Sequence, residues 1–277
     1  LGESVLTTTI DGLWLLQVLS GTEVLAPELG LRPYLPSVET TRMALDHPMA
    51  AELREAGVIT AGGEVDSTVL DWLVVLSRRD VALLMYVQTP SHDVDRVLLA
   101  RFAQWWVALE RCGTIVRLTG LGVATNEKSA AMLLRIEIER LCGTMGPATV
   151  RPATLDTAQL LKTVGAGEDL RPFLIASNLD GDQINTLMLA ADPARSAQAS
   201  LVALQSGVAG NPVIDSGAVT IIDTPAGRLL TEWAIRDGKS WMIAGPGSAT
   251  NIASAVATMM RRLPAQEAWY SYRKVIQ

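Results

Sequence analysis

The chain has 277 residues, 49% apolar and 19% charged, which excludes a disordered protein and leaves ample length for a core. Its net charge of −6 argues against generic binding to nucleic acid or to an anionic membrane. No apolar run reaches the roughly 18 residues of a membrane span, and no basic, apolar, small-residue signal pattern occurs, so the expected location is the cytoplasm.

Residues 5–10 are β-branched and Thr-rich and predict a strand. Asp11-Gly12 breaks it, with Asp11 the expected N-cap of an apolar helix over 13–19. Pro27, Pro33 and Pro36 mark an extended connection. A helix over 43–56 is interrupted near Pro48 and ended by Gly57 in a left-handed cap. Asp66 opens another helix, with Trp72 on its apolar face.

The pattern then changes to strands. Residues 81–88 form a continuous apolar run, short enough for a buried strand. Strands over 97–102, 105–109 and 114–119 follow in quick succession, and Trp105 and Trp106 should face opposite ways. Ala131, Leu134, Ile138 and Leu141 give 128–141 a helical stripe. A Gly/Pro-rich segment over 143–152 joins the halves, approximately 1–145 and 150–277 of a single domain. Short helices over 155–164, 169–177 and 183–191 come next. Strands return over 200–205, 218–223, 228–235 and 239–244, with Thr224-Pro225-Ala226-Gly227 as the turn of the middle pair. A helix over 252–263 ends at Pro264, before Trp269, Tyr270 and Tyr272. Hairpin-scale loops between the strands predict an antiparallel sheet in an α+β fold.

One stretch occurs twice. Gly120-Leu-Gly-Val-Ala-Thr-Asn126 matches Gly245-Pro-Gly-Ser-Ala-Thr-Asn251 at an offset of 125 residues. Arg111, Gly113, Ser129 and Ala130 recur at the same offset. This predicts an internal duplication: two related halves, each a strand meander leading through a Gly-x-Gly turn into a helix.

Candidate chemistry is sparse. A Gly-x-Gly turn before a helix can hold phosphate on its amides, which makes a small-molecule or nucleotide-binding enzyme the alternative reading. The dinucleotide fingerprint needs a third glycine, and Thr125 and Thr250 stand there instead. Asn178-Leu-Asp180-Gly-Asp182 departs from a calcium loop in its glycine position and lacks the closing Glu, so it reads as a turn and helix cap. Asp223-Thr224 is followed by Pro225 where an aspartic protease needs glycine, and reads as a hairpin turn. His47 and His92 are isolated, and Glu137 and Glu139, two apart on a helix, read as surface charges. Cys112 and Cys142 make neither a disulfide framework nor a zinc site, and both are expected as free thiols. No catalytic, metal or cofactor set emerges.

Several segments together resemble the EspG family, the cytosolic chaperones of actinobacterial type VII secretion. They are Thr9-Ile-Asp-Gly-Leu-Trp14-Leu-Leu, Asp71-Trp72-Leu-Val-Val-Leu-Ser-Arg-Arg-Asp80, Asp223-Thr-Pro-Ala-Gly-Arg228-Leu-Leu, and Gly245-Pro-Gly-Ser-Ala-Thr, with Leu263-Pro264 and Trp269 at the close. The order and spacing carry the likeness, rather than any single motif. The resemblance implies a quasi-two-fold fold with a central antiparallel sheet and N-terminal and C-terminal helical bundles. It implies no enzymatic activity and no cofactor. The implied partner is a PE–PPE heterodimer, gripped at the apolar helical tip of its PPE subunit by the central sheet and the C-terminal bundle. The short 89–95 loop departs from what a loop-assisted grip needs. Whether the chain also pairs with a second copy through a sheet edge is left open. The expected face combines Leu201, Ala203, Val219, Ile221, Leu229, Trp233 and Ile235 of the sheet with Phe173, Leu174 and Leu187 of the C-terminal helices, most of them serving as core. A preformed groove of this kind buries apolar surface with little ordering cost.

Overall fold

The computed structural model describes residues 5–90, 92–206, 212–215 and 217–270. Strand β1 (Val5–Thr9) runs straight into helix α1 (Ile10–Ser20). The cap is Thr9, whose hydroxyl accepts from the Gly12 amide at 3.1 Å. Asp11, the expected cap, instead lies in the first turn, where its charge faces the positive helix end. Helices α2 (Thr41–Asp46) and α3 (Met49–Glu55) are divided at Pro48 as the sequence predicts. Asp66 caps α4 (Ser67–Arg78) by accepting from the amides of Thr68 and Val69. Of these four helices, α1 and α4 bury Leu13, Leu16, Leu73 and Leu76 in one core with Leu84, Leu98, Leu109 and Leu118 of the sheet.

Strands β2 (Val81–Gln88), β3 (Asp95–Phe102), β4 (Trp105–Cys112) and β5 (Ile115–Val123) form an antiparallel meander, and helix α5 (Glu127–Cys142) follows. Trp106 is buried and Trp105 is 54% exposed, so the adjacent pair splits across the strand as expected. Beyond the joining segment come β6 (Ala153–Asp156), α6 (Thr157–Gly165), α7 (Leu170–Ala176) and α8 (Gly181–Ala190). The sequence predicts helix from 155. The structure gives Ala153–Asp156 to the sheet, paired with the last long strand, and Asp156 then caps α6. Strands β7 (Ala197–Ser206), β8 (Pro212–Ile214), β9 (Val219–Thr224), β10 (Gly227–Arg236) and β11 (Lys239–Pro246) precede α9 (Ala249–Arg261).

All of these strands join one antiparallel sheet in the order β1-β5-β4-β3-β2-β7-β9-β10-β11-β6, with β8 beside β7. Its middle is the β2–β7 ladder, from Val81 opposite Gln205 to Gln88 opposite Gln198. Helices α5 and α9 cover one face, over Leu83, Met85, Leu99, Leu201 and Ile221. Helices α1–α4 and α6–α8 pack on the other, because Leu84 and Ile222 point away from that buried layer.

The Gly-x-Gly stretches are not turns. Gly120 and Gly122 lie within β5, and Gly245 lies within β11. The helices that follow start differently. Asn126 caps α5 in a capping box with Ser129, whereas Ser248 caps α9, three residues ahead of the aligned Asn251. Glu137 is also not a surface charge. It is 4% exposed and accepts from Arg140 at 2.9 Å, because its face of α5 meets the sheet, where Arg140 also reaches Glu110 at 2.6 Å. Cys112 and Cys142 are free thiols. Among the described residues no helix is long and apolar enough to cross a membrane. The sequence-predicted aromatic at Tyr272 lies outside the described residues.

Candidate protein-binding face

The joining segment and the β9–β10 hairpin set the geometry of the C-terminal half. Arg228 donates to both oxygens of Asp223, at 2.6 and 2.7 Å, and to the carbonyls of Cys142 and Gly143 at the end of α5. A guanidinium offers planar paired donors, so one side chain can clamp a hairpin and cap a helix together. Within the hairpin, the Thr224 hydroxyl donates to the Gly227 carbonyl at 2.9 Å, so Asp223-Thr224 is a turn element as expected. Gly247 completes the hub. Its amide donates to the Arg228 carbonyl at 2.8 Å, and an added Cβ would come within 2.5 Å of Arg228 Cγ. That amide is therefore turned to the neighbouring strand and not to an anion. In the first copy, Gly120 makes room for an indole: a Cβ there would lie 2.7 Å from Trp72 Nε1. Both glycines permit close packing, Gly247 against Arg228 and Gly120 against Trp72.

Asp180 anchors α8, accepting from the Gln183 amide at 2.8 Å while Gln183 Oε1 accepts in return from the Asp180 amide. That bond, and then Arg151 at 2.6 Å, hold the Asp180 carboxyl below its usual range. The Gln183 side-chain amide also donates to the carbonyls of Arg151 and Pro152. The helix start is thus fastened to the strand that borders the sheet.

Strand alternation decides what each candidate residue faces. Leu201, Ala203, Val219 and Ile221 point into the layer beneath α5 and α9, where the chain's own helices bury them. Leu174, Leu187 and Leu229 are buried too, holding α7 and α8 to the sheet. Three of the ten expected residues reach the surface: Phe173 and Trp233 are half-buried, and Ile235 is 75% exposed. The side chains lying between the two helical bundles belong to the opposite parity. Tyr86 is opposite Ser200, and Ser200 is opposite Thr220, with their hydroxyls 3.2 Å apart. With Val202 they form a half-buried strip on the bundle-bearing face, and alternation puts Trp233 and Ile235 on that face as well. The four expected residues of β7 and β9 lie on the covered side, because ranking positions by apolarity selects that side. The alternate positions of these strands carry hydroxyls instead, at Ser200 and Thr220. The C-terminal helices leave Leu161, Val164 and Ile175 more than half exposed.

The sequence model of the EspG family matches residues 9–258. The chain belongs to the EspG family. Among its EspG relatives, the ESX-2 secretion-associated protein EspG2 of Mycobacterium tuberculosis is 45% identical over 276 residues, covering 98% of this chain and all of the relative. The ESX-5 secretion-associated protein EspG5 of Mycobacterium marinum is 25% identical over 303 residues, covering 98% and 97%. A solved structure of the Mycobacterium tuberculosis type VII secretion system chaperone EspG5, in complex with a PE25–PPE41 dimer, shares the fold. Its TM-score is 0.78 at 22% identity, covering 98% of this EspG chain and 100% of that one.

Proposed function

We propose that this chain is a cytoplasmic, non-enzymatic chaperone of type VII secretion. It binds the apolar helical tip of the PPE subunit of a PE–PPE heterodimer and keeps the pair soluble for export. The observation that carries this reading is the bundle-bearing face. A half-buried strip of Tyr86, Ser200, Val202 and Thr220 lies beside a C-terminal bundle with exposed Leu161, Val164 and Ile175. Family membership and a same-fold neighbour solved with a PE–PPE pair support it. The hydroxyls give the strip hydrogen-bonding register, and the aliphatic side chains supply the apolar burial that drives association. Of the residues expected from the sequence, Phe173, Trp233 and Ile235 are retained as contacts. Leu174, Leu187, Leu201, Ala203, Val219, Ile221 and Leu229 support the face from within.

The same reading includes an internal duplication. Each half supplies a flanking strand, helices, four long strands and a closing helix, and the sheet order mirrors about the β2–β7 ladder. The unequal helix caps fit copies that have diverged locally. Co-expression with PE–PPE pairs encoded beside ESX loci, followed by size exclusion, tests the function. A ternary peak with one pair is expected. Failure to co-elute with every pair, by a folded protein, overturns it.

A further inference from the structure

One row of side chains crosses the bundle-bearing face of the sheet at right angles to its strands. Thr220 of β9 is opposite Ser200 of β7, Ser200 is opposite Tyr86 of β2, Tyr86 is opposite Arg96 of β3, and Arg96 is opposite Arg111 of β4. All five residues are half-buried. The strip assigned above to the partner therefore runs, in unbroken register, into two arginines.

Those arginines oppose each other as like charges, an arrangement that costs a sheet stability. A Cβ added to Gly30 would lie 2.8 Å from Arg111 Nη1 and 3.0 Å from Arg96 Nη1. The two guanidiniums thus come within about 6 Å, close enough for one charge to act strongly on the other. Arg111 donates to the carbonyls of Leu29 and Gly113, at 2.6 and 3.0 Å, which orients it and leaves its charge unmatched. Arg96 has no hydrogen bond or ion pair among the described residues. Elsewhere Arg79, Arg101 and Arg228 are buried or half-buried too, and each of them meets a carboxylate. A positive pair left open at the end of a contact strip calls for an anion from outside the chain.

We propose, on the partner reading above, that Arg96 and Arg111 form a carboxylate-binding subsite, filled by an Asp or Glu side chain of the bound partner. The apolar tip then carries one acidic group at a fixed place. Neighbouring strands stand about 4.8 Å apart, and three such steps separate Arg96 from Thr220. The carboxylate therefore sits roughly 14 Å along the strip from the group that meets the Thr220 hydroxyl. A guanidinium fork holds a carboxylate through paired hydrogen bonds, and its charge speeds the encounter. A tip with a basic group at that place is repelled, so the pair discriminates among tips of similar apolar surface.

Surface plasmon resonance of the full chain and its Arg96→Gln form against a cognate PE–PPE pair tests the contact, with circular dichroism to verify folding. Arg111 is left in place because it also holds Leu29. Association with the variant should be about tenfold slower, and its rate should lose the salt dependence that the parent shows. Changing the matching acidic residue of the PPE tip to Lys should weaken capture by the parent, and Arg96→Glu should restore it. Equal association rates for parent and Arg96→Gln at low and high salt overturn the carboxylate contact and leave the partner reading standing. Capture of no pair by the folded parent sinks the partner reading instead, and sodium acetate then decides the subsite. The Nε–H resonance of Arg96 must shift saturably with acetate and not with sodium chloride of equal ionic strength. A shift with neither salt, or the same shift with both, overturns the subsite itself.

Discussion

Arg228 grips Asp223 through two hydrogen bonds of 2.6 and 2.7 Å, and the two side chains are only 6% and 20% exposed. The same guanidinium caps the last carbonyls of α5, so it ties the end of the first half to the hairpin of the second. Replacing Arg228 with Ala should destabilise the fold by about 2–4 kcal/mol, because half-buried Asp223 loses its partner and the carbonyls of Cys142 and Gly143 lose their donor. Arg228→Lys keeps the charge but loses the fork, so it should fall between. Chemical denaturation followed by tryptophan fluorescence reads the difference.

Gly247 and Gly146 make a controlled pair. A methyl at Gly247 collides with Arg228 Cγ at 2.5 Å and with Leu229 backbone atoms at 2.9 Å, whereas nothing lies within 4 Å of a methyl at Gly146. Gly247→Ala should lose on the order of 1–3 kcal/mol through overpacking, and Gly146→Ala should stay within about 0.5 kcal/mol of the parent. Equal effects at the two sites would refute the close-packing role of Gly247.

The two thiols should separate in reactivity. Burial pushes the Cys142 thiol up to about 11, outweighing the Arg228 charge that favours the thiolate. Cys112 is exposed, with its thiol raised by the neighbouring Asp95 carboxyl. Burial opposes the charged form, so Cys142 stays protonated, and protected, until the pH approaches 11. Iodoacetamide at pH 8.5 should therefore modify Cys112 first, with Cys142 labelled only slowly or after unfolding. Peptide mass mapping across a pH series checks both the order and the steep rise for Cys142 above pH 9.

The proposed partner face can be probed without touching the core. Ile235, Ile175 and Leu161 are each more than half exposed, so Asp at any of them should change stability by no more than about 0.5 kcal/mol. Each should still weaken capture of a cognate PE–PPE pair by about tenfold or more, since a desolvated contact of this size is worth over about 1.4 kcal/mol. Ile243, opposite Glu232 on the other face, is the control, and Asp there should leave capture intact. Surface plasmon resonance gives the affinities. An effect at Ile243 equal to that at Ile235 would move the interface to the other side.

Much of this architecture was legible in the amino-acid pattern. Residues 81–88 announce a central strand because Val81 to Met85 are buried in succession, one helical layer on each side removing any polar face. Asp66 marks α4 because a carboxylate there meets two free amides. What escaped were features decided by neighbours rather than by local preference. Ala153–Asp156 is too short to declare itself and becomes a strand only because β11 offers an open edge. Leu201 and Val219 looked like contacts, but alternation turns them under the closing helices and turns Ser200 and Thr220 outward to the strip. Gly120 and Gly245 looked like turn residues because a helix follows them, yet each lies within a strand, and Gly120 admits the Trp72 indole.

The β2–β7 ladder has a consequence for biosynthesis. Strand β2 is made early, but its neighbour Ala197–Ser206 is translated more than a hundred residues later (198 − 88 = 110). Until then the nascent chain carries an eight-residue apolar edge with its ladder groups unmatched. A naked edge of this kind is a template for wrong pairing on the ribosome. The chain proposed here as a chaperone must therefore itself pass through a sticky adolescence, and its yield in a foreign host should depend on how quickly the second half emerges to cover the first.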